Sequence, residues 1–128
     1  MIYSDAPLFV NAVLKQEATE AAQRFIAENI RNICTSVLTI DEVAWVVGKN
    51  TDWLEATAYC NNLLSGGIMF LDADKQIARE AVAIMRNYGV TPRDAFHAAT
   101  MRLNGVTEII SEDKIFDKIS GIKRVWLK

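Results

Sequence analysis

The sequence predicts an α/β fold in which helices cover both faces of a central, mostly parallel sheet of about five strands. Short apolar strand patterns alternate with amphipathic helical patterns along the chain, the order typical of parallel sheets. Hydrophobic residues make up 51% of the 128 residues, which suits a sheet that is covered on both faces. No repeat, low-complexity segment or Pro/Gly/Ser-rich linker divides the chain, so we expect residues 1–128 to form one domain.

The first half of the chain is predicted to contain two strands and four helices. Apolar runs predict the strands, and apolar residues at helical spacing predict the helices. In chain order these are a strand at 1–4, helices at 8–14 and 17–30, a strand at 33–37, a helix at 40–47 closed by Gly48, and a helix capped by Thr51 and ended by Gly66-Gly67. The buried stripe expected on the last of these helices is Trp53, Thr57, Cys60 and Leu64.

The second half is predicted to add three strands and two long helices. A stripe from Ile77 to Tyr88 indicates a helix that ends at Gly89, and Thr91 caps a further helix with Pro92 in its first position. The Pro92 helix ends near Leu103. The remaining elements are a strand at 68–71, a strand at 108–110, a turn or short helix around Phe116, and a strand at 123–127.

Composition excludes several classes of protein. No apolar run approaches the roughly 18 residues of a membrane span, and residues 1–14 lack the basic start of a secretory signal. Cys34 and Cys60 fit no C-x-x-C spacing and are interpreted as reduced core residues, so we expect a cytoplasmic protein. The net charge of −2 gives no overall attraction for nucleic acid. The basic residues of the last fifteen positions are interpreted as a solvated face.

Four acids occupy comparable junctions of the predicted fold. Asp5 closes the first strand, Glu42 lies in the first turn of the helix after the second strand, Asp94 opens the Pro92 helix, and Asp113 follows the fourth strand. Ligands of open α/β sheets bind along the carboxyl ends of the strands. The topology could therefore bring all four carboxylates to one rim, where they would make a metal site.

Each acid also has a structural explanation when it is considered alone. Thr39 and Glu42 have the spacing of a capping box, in which the glutamate reaches back to the start of its helix. Asp94 lies three residues after its cap and is favoured there by the helix dipole. Asp5 and Asp113 could simply mark turns. The conjunction of the four is what favours a metal site.

Four blocks of sequence, in this order and spacing, resemble a PIN domain of the small, single-domain VapC toxin type. They are Met1-Ile2-Tyr3-Ser4-Asp5, Thr39-Ile40-Asp41-Glu42-Val43, Thr91-Pro92-Arg93-Asp94-Ala95-Phe96-His97-Ala98-Ala99 and Ile110-Ser111-Glu112-Asp113-Lys114-Ile115-Phe116-Asp117. The resemblance covers essentially the whole chain. It implies a three-layer α/β/α fold and a ribonuclease that depends on Mg²⁺ or Mn²⁺.

The resemblance also implies roles for particular residues and partners. Asp5, Glu42, Asp94 and Asp113 match the catalytic, metal-binding acids of the family, and Asp117 matches a further acid that assists the fourth. Hard divalent cations prefer such carboxylate oxygens. The implied partners are an RNA substrate, a cognate antitoxin protein and a second copy of the chain in a homodimer.

One departure from the family pattern weakens the expectation of catalysis. Family members follow the first Asp with a small hydroxyl residue and then Asn, whereas Asp5 is followed by Ala6 and Pro7. Proline offers neither the amide side chain nor a backbone N–H to support the site. The alternative hypothesis is therefore a degenerate PIN scaffold that binds RNA or an antitoxin without cleaving.

Other features favour no competing chemistry. His97, the only histidine, is interpreted as a packed or hydrogen-bonded helix residue. The chain contains no phosphate-binding glycine loop and no H-E-x-x-H zinc motif. The three tryptophans are predicted to be core or interface residues. A phospho-receiver reading of Asp72 lacks the acid pair that such domains require, and a helix cap at Asp72 or Asp74 explains that segment better.

Overall fold

Five parallel strands form the central sheet of the computed structural model, which describes all 128 residues. The strands are β1 (Ile2–Ser4), β2 (Ile33–Ser36), β3 (Met69–Leu71), β4 (Glu108–Ile110) and β5 (Lys123–Val125). Their order across the sheet is β3-β2-β1-β4-β5, and every neighbouring pair is parallel. Parallel neighbours require crossover connections, which the helices supply. The central strand β1 therefore has β2 on one side and β4 on the other.

Six α-helices and one short 3₁₀ helix cover the two faces of the sheet. They are α1 (Ala6–Val13), α2 (Thr19–Asn29), α3 (Leu38–Asn50), α4 (Trp53–Ser65), α5 (Lys75–Tyr88), α6 (Pro92–Leu103) and the 3₁₀ helix Lys114–Lys118. Helices α1 to α4 pack on one face, against Ile2, Ile33 and Ile110. Helices α5 and α6 pack on the other, against Tyr3, Cys34 and Ile109. The predicted three-layer α/β/α fold is confirmed.

Side-chain alternation along the strands explains why one sheet has two cores. Ile2 and Tyr3 are neighbours in β1, yet they belong to different clusters because successive residues of a strand point to opposite faces. Ile109 and Ile110 in β4 divide in the same way. The strands are therefore buried on both sides, as the high apolar content predicts.

The predicted elements are present, but α3 has different ends. It begins at Leu38, ahead of the predicted start, and continues through Gly48 to Asn50. Gly48 does not end the helix, because its role is in packing. A Cβ at this position would lie 2.0 Å from Cε3 of Trp53, so only glycine lets that ring lie against α3.

The start and buried face of α4 also differ from the prediction. Asp52, and not Thr51, caps the helix, since its Oδ1 accepts a hydrogen bond from the Glu55 N–H at 2.7 Å. The buried residues are Ala56, Cys60 and Leu63, whereas Trp53 is 55% exposed. The predicted stripe was therefore wrong except at Cys60.

Several local predictions are confirmed. Helix α6 has its predicted ends, with Thr91 as its N-cap residue, and α5 ends at Gly89, whose φ of 66° is the left-handed conformation that glycine favours. Asp74 caps α5, which accounts for the acid near the end of β3. Cys34 and Cys60 are buried and free. None of the helices is both long and apolar enough to cross a membrane.

Candidate metal centre

The four predicted acids lie around the carboxyl ends of three adjacent strands and the start of α6. Asp5 follows the central strand β1 directly, and Asp113 follows β4. Glu42 lies in α3, which follows β2. Burial is the main cause of the raised pKa of Asp5 and of Asp94. The charges of Glu42 and Asp94 add to the rise at Asp5, the charge of Asp113 adds to the rise at Asp94, and His97 opposes both. The acids are therefore within electrostatic range of one another, despite their separation in sequence.

Asp5 is the most buried of the four carboxylates, and its hydrogen bonds satisfy it only in part. It is only 4% exposed, and its Oδ2 accepts a hydrogen bond of 2.6 Å from the Ser111 hydroxyl. Its Oδ1 is buried and has no hydrogen-bond partner. Burial raises the pKa of Asp5 to about 6, and the bond from Ser111 offsets only part of that rise. A buried polar atom of this kind is destabilising unless something satisfies it.

Ser111 connects the two strand ends that carry Asp5 and Asp113. Its hydroxyl donates to Asp5 and accepts a bond of 3.1 Å from the Asp113 N–H. Its carbonyl accepts a bond of 3.0 Å from Nη1 of Arg124 on β5. The central strand and β4 are thus joined by side chains immediately beside the acids.

Asp117 is engaged elsewhere. Its two oxygens accept hydrogen bonds from Nε and Nη2 of Arg124, at 3.0 and 3.1 Å. The carboxylate side chain is 53% exposed, and the Arg124 guanidinium lowers its pKa. Its role as an additional metal ligand stays a prediction of the resemblance.

Glu42 does not form the predicted capping box. The N-cap residue of α3 is Val37, with no side-chain cap, and Thr39 is buried in a hydrogen bond of 2.7 Å with Thr35. Because the helix begins earlier than predicted, Glu42 lies beyond the position from which it could reach the cap. Its side chain instead contacts His97 on α6.

His97 lies between Glu42 and the central strand. It is 2% exposed, with Nε2 at 2.9 Å from Oε1 of Glu42 and Nδ1 at 2.6 Å from the Tyr3 hydroxyl oxygen. Nε of Arg93 lies 3.5 Å from the same Oε1. His97 is a packed, hydrogen-bonded residue, as the sequence predicts, but its contact with a candidate ligand was missed.

Asp94 and Asp113 are held by short local contacts. The Thr91 hydroxyl donates a bond of 3.1 Å to Oδ2 of Asp94, and burial, followed by the charge of Asp113, raises the pKa of that carboxyl. Oδ1 of Asp113 accepts a bond of 3.0 Å from the Ile115 N–H and caps the 3₁₀ helix. Asp113 is therefore a structural cap as well as a member of the rim, whereas Asp94 is held by the hydroxyl of the N-cap residue of its helix.

The rim is an open arrangement of carboxylates. No three His, Cys, Asp or Glu side chains lie close enough together to form a preformed metal-coordination site. The donor set nevertheless suits a hard divalent cation, since it consists of carboxylate oxygens, and the unpartnered Oδ1 of Asp5 is a buried acceptor among them. The residues present fit such a cation by their chemistry.

A cleft of about 480 Å³ lies beside this rim, between the starts of α3 and α6. Glu42, Arg93 and His97 line it, together with the exposed side chain of Asp41. Its size is within the range of small-molecule sites. A substrate segment in this cleft would lie directly against the candidate ligand Glu42.

The tryptophans only partly match their predicted burial. Trp45 and Trp53 are 58% and 55% exposed, with ring centroids 5.7 Å apart, so neither is a core residue. Trp126 packs partly buried against the core formed with α1 to α4. The packing of Trp53 over Gly48 is a feature that apolar periodicity could not indicate.

Comparison with known proteins gives one family and a consistent fold. The PIN domain family model matches residues 2–122. Similar solved structures include a toxin–antitoxin complex from Klebsiella pneumoniae, at 18% identity and a TM-score of 0.74 over 96% of each chain. The sarcin–ricin loop cleaving toxin VapC20 of Mycobacterium tuberculosis has 16% identity and a TM-score of 0.79 over 89% of this chain and 91% of that one.

A third similar structure is DNA-bound VapBC from Salmonella typhimurium, at 21% identity and a TM-score of 0.75 over 98% of each chain. No curated protein matches this sequence. At these identities the structural likeness concerns the fold, whereas the family model spans nearly the whole chain. The chain belongs to the PIN-domain family.

Proposed function

We propose that this chain is a metal-dependent endoribonuclease that hydrolyses RNA phosphodiester bonds. The PIN family consists of nucleases, which supports the class of reaction. The observation that carries the proposal is the buried Oδ1 of Asp5, which has no hydrogen-bond donor although Glu42 and Asp94 add negative charge around it. A divalent cation would satisfy that oxygen and balance the surrounding charge.

The proposed ligands are Asp5, Glu42, Asp94 and Asp113, and the proposed cation is Mg²⁺ or Mn²⁺. When bound, such a cation supplies a water of lowered pKa and stabilises negative charge at the phosphorus. Ionised carboxylates repel one another until a cation balances them, which is compatible with the open arrangement of the rim. Asp117 is outside the proposed set because Arg124 already binds both of its oxygens.

Residues around the acids have proposed roles in orientation and substrate binding. Ser111 fixes the rotation of the Asp5 carboxylate, and Thr91 does the same for Asp94. The Arg93 guanidinium forms an ion pair with Glu42 at 3.5 Å, and because its side chain is 64% exposed it remains accessible to an RNA phosphate in the cleft. A guanidinium is well suited to phosphate because it can donate two parallel hydrogen bonds.

The alternative is a PIN scaffold that binds metal or RNA without cleaving. It is favoured by Ala6-Pro7, which replaces the polar residues that follow the first Asp in related sequences. Pro7 lies at the start of α1, and its carbonyl accepts a hydrogen bond from Asn11, at 2.8 Å. Neither residue gives Asp5 a polar neighbour in place of the missing side chains.

We also propose that the chain is the toxin of a toxin–antitoxin pair and binds a cognate antitoxin. Several similar structures are complexes of this kind, from Klebsiella pneumoniae and Salmonella typhimurium. The exposed apolar side chains of Trp45, Trp53 and Leu54 give α3 and α4 a surface suited to a protein partner. We further propose a homodimer, because an exposed apolar surface of this kind also suits a second copy of the chain. Sedimentation of the purified chain would test it.

RNA cleavage by the purified protein tests the proposed activity. We expect cleavage with Mn²⁺ or Mg²⁺ that stops when EDTA is added. Asp94→Asn should reduce the rate by about 100-fold or more, since a charged ligand is lost while the Thr91 contact can be kept. Asp72→Asn is the matched control, because it removes an exposed acid that follows β3 and lies outside the proposed set.

Three outcomes separate the hypotheses. Cleavage that Asp94→Asn leaves unchanged would contradict the proposed site. Mn²⁺ binding by calorimetry without cleavage of any RNA tested would favour the non-cleaving scaffold. Equal losses in Asp94→Asn and Asp72→Asn would indicate a general effect of charge, and not a ligand.

A further inference from the structure

His97 joins three elements of the fold at a single buried ring. It belongs to α6, its Nδ1 lies 2.6 Å from the hydroxyl oxygen of Tyr3 on β1, and its Nε2 lies 2.9 Å from Oε1 of Glu42 on α3. Both Tyr3 and His97 are almost completely buried, at 0% and 2% exposure. Side chains this enclosed have fixed rotamers, so the distances define a continuous hydrogen-bonded chain.

The chemistry of the three groups fixes the direction of that chain. A carboxylate can only accept, so Nε2 of His97 carries the proton and donates to Glu42. In the Nε2–H tautomer, Nδ1 is an acceptor and receives the Tyr3 O–H.

Glu42 is the candidate ligand that most needs such support. Its side chain has one more rotatable bond than those of the three aspartates, so holding it in one rotamer costs more conformational entropy. His97 and Arg93 both approach Oε1, which leaves Oε2 without a protein hydrogen bond. A ligand oxygen that is oriented in advance binds a cation with a smaller loss of conformational entropy.

We propose that Tyr3 and His97 form a positioning relay that holds Glu42 through Oε1 and presents Oε2 to a divalent cation. The Tyr3 hydroxyl anchors the His97 ring through Nδ1, and Nε2–H of the anchored ring fixes the rotamer of Glu42. Neither Tyr3 nor His97 touches the cation or the RNA in this role. The inference rests on the proposed function, because it assigns how one ligand of that site is oriented.

Two substitutions at His97 separate a hydrogen-bonding role from a packing role. The amide nitrogen of glutamine extends about as far as Nε2, whereas that of asparagine extends only about as far as Nδ1. His97→Gln should therefore keep a donor for Glu42, and His97→Asn should lose it. By calorimetry we expect Mn²⁺ affinity to fall about tenfold or more in His97→Asn and clearly less in His97→Gln.

Tyr3→Phe tests the second link, with Tyr59→Phe as its matched control. Both tyrosines lose a hydroxyl that makes a 2.6 Å bond, but the Tyr59 hydroxyl donates to the Phe9 carbonyl, away from the acids. Both variants should lower thermal stability. Only Tyr3→Phe should weaken Mn²⁺ binding, by a few-fold to about tenfold.

Imidazole ¹⁵N NMR tests the relay without metal, and its signals are unambiguous because His97 is the only histidine. We expect the Nε2–H tautomer in the wild type, and in Tyr3→Phe a changed Nδ1 chemical shift because that nitrogen loses its hydrogen-bond donor. An Nδ1–H tautomer in the wild type, or an Nδ1 shift that Tyr3→Phe leaves unchanged, would overturn the relay. So would wild-type Mn²⁺ affinity in His97→Asn. Absence of Mn²⁺ binding by the wild type with the expected NMR result would contradict the metal site and leave the hydrogen-bonded relay standing.

Discussion

Asp5 and Asp117 are both aspartates near the carboxyl ends of the sheet, but their surroundings differ in almost every respect. Asp5 is 4% exposed, and one of its oxygens has no partner. The Asp117 side chain is 53% exposed, and Arg124 binds both of its oxygens. The pKa of Asp5 is raised to about 6, chiefly by burial, whereas the guanidinium of Arg124 lowers the pKa of Asp117.

The difference distinguishes two uses of the same side chain. Asp117 and Arg124 form an ordinary ion pair, and Arg124 also donates to the Ser111 carbonyl. The charges of the two side chains therefore balance each other within the protein. At Asp5 the fold keeps a carboxylate in a place where the protein alone does not satisfy it. Such unfavourable placement is expected of groups kept for function, and it is the basis on which we propose Asp5 as a cation ligand.

The largest expected effect is on catalysis. Asp5→Asn should reduce the rate of metal-dependent RNA cleavage by about 100-fold or more, while Asp117→Asn should change it by no more than about threefold. The reason is that only Asp5 offers an oxygen without a protein partner. Rate measurements on both variants at saturating Mn²⁺ check this. Comparable losses in the two variants would remove the distinction between the two acids.

The second effect is on stability. The substitution that should impair catalysis, Asp5→Asn, should make the metal-free fold more stable. The pKa of Asp5 rises from 3.8 to about 6 in the fold. This rise means that the ionised carboxylate lowers the free energy of unfolding by at most roughly 3 kcal/mol. This destabilisation is complete above about pH 7, decreases as the pH falls through 6, and is absent below 3.8. Asparagine carries no charge and can still accept from Ser111.

Metal-free Asp5→Asn should therefore be more stable than the wild type by about 1–3 kcal/mol at pH 8, with a difference that disappears near pH 4. Urea unfolding in EDTA at several pH values measures this difference. An Asp5→Asn variant that is less stable than the wild type at pH 8 would show that the carboxylate is satisfied in the fold.

The smallest effect is expected at the ion pair. Asp117→Asn should lower the urea midpoint of unfolding only slightly, because the Asp117 carboxylate is half exposed and its ion pair with Arg124 is screened by solvent. The loss should shrink when the salt concentration is raised to about 1 M. Urea unfolding at two salt concentrations provides the measurement. A large loss of stability that does not depend on salt would mean that the pair is a buried support of the rim.

Much of the fold was predictable because its signals are local. Alternating strand and helix patterns gave the parallel sheet, and Thr91-Pro92 gave the start of α6. The position of Asp5 after the first strand, together with the order of the sequence blocks, predicted the rim of acids. Each of these inferences uses residues that are close together in sequence or a topology that admits few alternatives.

The interactions that the sequence did not reveal depend on contacts between distant elements. The spacing of Thr39 and Glu42 offered a capping box as the structural explanation of Glu42, but its side chain contacts His97, 55 positions away. Trp53 was predicted to be buried by its periodicity, but its ring lies over Gly48 and remains exposed. Spacing predicts the face on which a side chain lies, but not which partner on another helix it will contact.

Calorimetric titration of Mn²⁺ into metal-free protein tests the central claim most directly, with wild type, Asp5→Asn and Asp117→Asn compared at pH 7.5. We expect binding by the wild type and Asp117→Asn, and at least a tenfold weaker affinity in Asp5→Asn. Equal affinities in all three proteins, or no binding by the wild type at millimolar Mn²⁺, would contradict it.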